Sequence, residues 1–96
     1  MSTYNVYHPP ATRLSVGGTA IQLSETATVV AASGTYLFSA GAALHIRITD
    51  ASDTTTPTAT NGISFAADEK LFIYLKAGQF VHSDSTSGIY ILMEEN

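Results

Sequence analysis

The chain has 96 residues, a formal charge of −4 and no cysteine, which predicts one small domain with a single core and excludes disulfides, thiolate metal sites and cysteine nucleophiles. Only 12% of the residues are charged, about half the roughly 25% usual in soluble domains, while thirteen Thr, ten Ser, thirteen Ala and seven Gly fill the sequence. Its four cations, Arg13, Arg47, Lys70 and Lys76, make no phosphate-neutralising stripe, so nucleic acid is not an expected partner.

Residues 1–11 read as an extended N-terminal arm. Tyr4, Asn5, Val6, Tyr7 and His8 precede Pro9-Pro10, which offer no backbone donors and hold His8 in extended geometry. The start has no basic segment leading into an apolar run, and no stretch approaches the roughly 18 apolar residues of a membrane span. The expectation is therefore a protein made in a reducing cytoplasm, with no membrane partner.

Residues 12–96 read as the folded domain. Thr12–Val16 and Thr19–Leu23 flank Gly17-Gly18, a pattern that predicts a hairpin. Thr26–Ala31 is too β-branched for a helix and is closed by Ser33-Gly34, after which Thr35–Ser39 carries Tyr36, Leu37 and Phe38. Leu44–Thr49 alternates cleanly: Leu44, Ile46 and Ile48 share one face, and His45, Arg47 and Thr49 the other. The hydroxyl-rich stretch 50–62 reads as a long loop, and Ile63–Ala66 returns to strand character. Asp68-Glu69-Lys70 makes a charged corner before Leu71–Leu75, Ala77-Gly78 turns the chain into Gln79–His82, and Asp84–Gly88 turns it again into Ile89–Met93.

Short strands about ten residues apart, without a helix, predict an all-β fold: an antiparallel β-sandwich, jelly-roll-like, with an extended N-terminal arm. The predicted core is Leu44, Ile46, Ile48, Leu71, Ile73, Leu75, Ile89 and Ile91.

Catalytic and cofactor chemistry finds little footing. His8, His45 and His82 have no second His or Cys at metal-ligand spacing, so no metal is expected and they read as surface or interface histidines. Asp50-Ala51-Ser52-Asp53 lacks the ligand series of a calcium loop, and Asp68-Glu69 would point to opposite faces of a strand. There is no Gly-x-Ser-x-Gly elbow and no phosphate-cradling glycine loop. No enzyme and no cofactor are expected. Tyr74 with Tyr90 is the one pair of aromatics that could form a sugar-stacking platform.

The second half, with Leu44-His45-Ile46-Arg47-Ile48-Thr49, the Ser/Thr/Ala-rich excursion, Asp68-Glu69, Leu71-Phe72-Ile73-Tyr74-Leu75, Lys76-Ala77-Gly78, Phe80-Val81-His82 and Gly88-Ile89-Tyr90-Ile91-Leu92, resembles small tailed-phage virion proteins of the decoration or cement type. The likeness covers roughly residues 19–93 and is one of rhythm and composition. It implies a β-sandwich on a capsid surface, often a trimer, binding the major capsid protein and copies of itself. That agrees with the scarcity of charge, since a surface of hydroxyls and methyls suits a protein whose faces are covered by partners.

Tyr4, Val6 and Tyr7 are too large to be buried by so short an arm alone. With Pro9, Pro10 and Arg47 they are the candidate assembly-interface residues. The alternative, from another class, is a carbohydrate-binding or tail-fibre module that recognises a host glycan.

Overall fold

Among residues 14–95, which the computed structural model describes, the apolar and β-branched runs form nine strands and no helix. They are β1 (Leu14–Val16), β2 (Ile21–Gln22), β3 (Thr28–Val29), β4 (Gly34–Ala40), β5 (Leu44–Thr49), β6 (Ile63–Phe65), β7 (Lys70–Leu75), β8 (Phe80–Ser83) and β9 (Gly88–Glu95). Two antiparallel sheets pack as a β-sandwich. One has the order β1-β9-β4-β7, with β2 also pairing β9, and the other the order β3-β8-β5-β6. The pairs β2 with β9, β3 with β8, β4 with β7 and β5 with β6 nest inside one another, like a single long hairpin wound around the core. Pairing of β4 with β9 and of β5 with β8 completes each sheet.

The turns use the residues that such geometry requires. Gly78 sits at φ 95°, a conformation open to glycine at no steric cost, where the chain leaves β7 for β8. Asp68 takes φ 66° at the charged corner, a left-handed position that Asp tolerates better than most side chains, and Glu69 Oε1 accepts the Ala66 amide at 2.7 Å to hold that corner. Between β2 and β3 the chain changes sheets. The Leu23 amide donates to Gly88 O at 2.9 Å in one sheet, and Ser24 O accepts from the Ser83 amide at 2.9 Å in the other.

Aromatic rings fill the centre. Phe38 stacks on Tyr90, Tyr36 tilts against Tyr90 from the same sheet, and Phe65 meets Phe38 from the opposite sheet. Leu23, Val30, Ala40, Leu44, Ile46, Leu75 and Val81 complete the buried cluster, with Ile48, Ile73 and Leu92 packed at its margin.

Several expectations are corrected. The Gly17-Gly18 segment does not close a hairpin, because β1 and β2 both pair with β9 and not with each other. The run 26–31 yields only the two-residue β3. The core parity of the last strand is reversed: Tyr90 and Leu92 lie opposite Phe38 and Tyr36 on the inner face, so Ile89 and Ile91 point outward. Leu71 is on the inner side, opposite Phe38, but β7 is an edge strand and leaves it 40% exposed. Leu44, Ile46 and Leu75 are fully buried as expected. The arm, with Tyr4, Val6, Tyr7, Pro9 and Pro10, lies outside the described residues.

Candidate assembly interface

Two sequence patterns give the sandwich two different outer faces. β5 alternates strictly, so its second face is polar. β7 and β9 instead contain unbroken apolar runs, Leu71-Phe72-Ile73-Tyr74-Leu75 and Ile89-Tyr90-Ile91-Leu92-Met93. Such runs are characteristic of strands covered on both sides. The structure covers only one side of these two.

Strand register arranges the outward side chains in rows across the five-stranded sheet. Phe72, Leu37 and Ile91 form the central row over β7, β4 and β9. Lys70, Ser39, Ile89 and Gln22 form a row on one side of it. Tyr74 with Thr35, and Met93 with Val16, lie on the other side. Phe72 is 53% exposed, Tyr74 62% and Val16 61%, while Leu37, Ile91 and Met93 are half-buried among them. Four strands about 4.8 Å apart and three rows about 6.8 Å apart make a face of roughly 20 by 20 Å. Lys70, Ser39, Gln22 and Thr35 interrupt it, and the apolar part, Phe72, Leu37, Ile91, Ile89, Tyr74, Met93 and Val16, is of the size of the patches found on monomeric proteins that are often functional.

The outer face of the four-stranded sheet is built differently. His45 and Asp84 form a two-point contact: Asp84 Oδ1 accepts the His45 amide at 2.8 Å, and Asp84 Oδ2 lies 2.7 Å from His45 Nδ1. Partial burial would push the Asp84 carboxyl up, but the hydrogen bonds from the His45 side chain and amide outweigh that and hold it below its ordinary value. Arg47 Nη1 donates to Asp53 Oδ2 at 3.1 Å, and the Thr55 amide donates to Asp53 Oδ1 at 2.7 Å, so the 50–56 segment is strapped over the sheet. Asp53 is likewise held below its usual range, first by the Thr55 hydrogen bonds and then by Arg47.

Arg47 is thus engaged within its own chain, under that loop. His82, expected at a surface or interface, is only 5% exposed, because the same loop and the segment before β3 cover it. Tyr74 and Tyr90 cannot form a sugar-stacking platform, since Tyr90 is in the core and Tyr74 points out of the opposite side of the sheet. Among the described residues no group of three or more His, Cys, Asp or Glu is placed to hold a metal ion. Leu37, Phe72 and Ile91 were not anticipated as interface residues; the signal for them was the absence of polar alternates in β7 and β9. No family model, no curated protein and no solved structure matches the chain.

Proposed function

We propose that this chain is a structural virion protein that decorates and cements a bacteriophage capsid, binding the major capsid protein and copies of itself. The observation that carries the reading is the uncovered apolar outer face of the five-stranded sheet, centred on the Phe72, Leu37 and Ile91 row. A second copy of the chain is its occupant. The face supplies about half of the roughly 800 Å² that each partner contributes to a stable interface. The arm, with Tyr4, Val6 and Tyr7, is the segment that supplies the remainder. The two antiparallel sheets packed as a β-sandwich support the reading, since double-sheet folds are used by capsid domains.

Electron cryo-microscopy of intact phage particles purified from the source of this chain is the test. The domain should stand on the outer surface at symmetry-related positions, touching the capsid lattice and its own copies. Its absence from the particle, or its presence only at the tail tip, would overturn the proposal.

A further inference from the structure

On the other sheet, away from the assembly face, a cavity of about 350 Å³ opens between the segment before β3 and the loop after β5. Glu25 and Thr26 form one wall, Ser52, Asp53 and Thr54 the other, and His82 of β8 forms part of the lining. The site has a fixed frame, because Arg47 and the Thr55 amide pin Asp53 and with it the far wall.

His82 is the residue that asks for an explanation. The residue is 95% buried, and its Nδ1 has no hydrogen-bond partner among the described residues. A buried polar atom left unpaired is costly, so such atoms are rarely kept without a ligand, an ion or a water to satisfy them.

The chemistry of the lining selects among ligands. Asp53 has its charge offset by Arg47, and no unpaired cation lines the cavity, which disfavours phosphate or sulfate. Six of the seven lining residues carry a polar side chain, while most of the exposed lining is carbon, a mixture that disfavours a wholly apolar ligand. The hydroxyls of Ser52 and Thr54 make no hydrogen bonds within the described residues, and each both donates and accepts. Glu25 accepts only, and a neutral imidazole offers one donor and one acceptor. A ligand that matches this mixture presents several adjacent groups that are themselves donors and acceptors. We propose that the cavity lined by His82, Glu25, Ser52 and Thr54 binds a single sugar ring through its hydroxyls. The volume is at the small end of ligand pockets, which suits one pyranose and not an oligosaccharide.

The test is a titration of the full chain, followed by amide and imidazole NMR, with methyl glycosides of glucose, galactose, mannose, rhamnose and N-acetylglucosamine, and with inorganic phosphate and zinc as separate arms. At least one glycoside should give saturable shifts confined to Glu25–Ala27, Ser52–Thr54 and the His82 ring, with a Kd on the order of 1 mM. Thr54 is exposed, so Thr54→Val should leave the spectrum folded while weakening that glycoside about tenfold or more. His82→Gln should weaken it as well. Overturning results are no saturable shift with any glycoside, saturation only with phosphate or zinc, or glycoside binding unaffected by Thr54→Val and centred elsewhere.

Discussion

Phe38 and Tyr90 face each other across β4 and β9 with ring centroids 5.1 Å apart and planes 8° from parallel, and this stack fixes which side of the five-stranded sheet is the core. Phe38 is fully buried, so Phe38→Ala should destabilise the domain by about 3–5 kcal/mol. Ile89, one residue from Tyr90 but on the outer face, should cost about 1 kcal/mol or less in the monomeric domain when changed to Ala. Denaturant melts of the two variants check the parity directly, and equal losses would contradict it.

Tyr90 carries a second consequence of this placement. Its hydroxyl is buried without a partner among the described residues, and burial, with Tyr36 beside it, pushes the phenol above its usual value. Removing an unsatisfied polar atom from a core is neutral or favourable. Tyr90→Phe should therefore leave stability unchanged or raise it by up to about 1 kcal/mol. A loss of stability in thermal melts would show that the hydroxyl is engaged.

Asp84 sets an acid limit on the four-stranded sheet. Its carboxyl is held below its ordinary 3.8 in the folded chain, so the stabilisation is fully present above that value. It is lost as pH falls through the lower folded value, where the native carboxylate takes up its proton. Asp84→Asn should cost about 1 kcal/mol near neutrality, at the low end for a charged hydrogen bond because the carboxylate is partly open to water. It should also flatten the fall in stability on the acid side. Urea melts across the acid range measure both, and an unchanged acid profile would show that Asp84 does not contribute to it.

How much of this was legible in the sequence depended on how far each strand's two faces differ. Leu44–Thr49 has one apolar and one polar face, and its inward residues were read correctly. Gly88–Glu95 is apolar on both, so alternation alone could not say that Tyr90 and Leu92 face inward, and the larger aromatic partner in β4 decided it. The β1 and β2 segments misled for a different reason. Gly17-Gly18 is a good local turn, but the long strand β9 offers both segments an edge, and non-local pairing overrode the local signal. Burial of His82 was not legible, since it depends on a loop thirty residues earlier in the chain that is strapped down by Arg47 and Asp53.

The arm is expected to act between subunits. Deleting residues 1–11 should leave the melting temperature of the dissociated domain nearly unchanged while weakening self-association about tenfold or more, through loss of Tyr4, Val6 and Tyr7 from the interface. Sedimentation across a dilution series, beside thermal melts, separates the two effects. A truncated chain that no longer folds would assign the arm to its own domain.

The central claim is that a second copy covers the outer face of the five-stranded sheet, and the oligomeric mass of the wild-type chain and of Phe72→Glu tests it most directly. Phe72 belongs to the central row of that face, on its edge strand β7, and is more than half exposed, so the charge should be tolerated by the fold but not by an apolar contact. The account predicts a discrete wild-type oligomer, a trimer, at about 10 µM, and a monomeric Phe72→Glu with its β-sheet circular dichroism intact. A wild-type chain that is monomeric at that concentration, or a variant that keeps the wild-type mass, would contradict it.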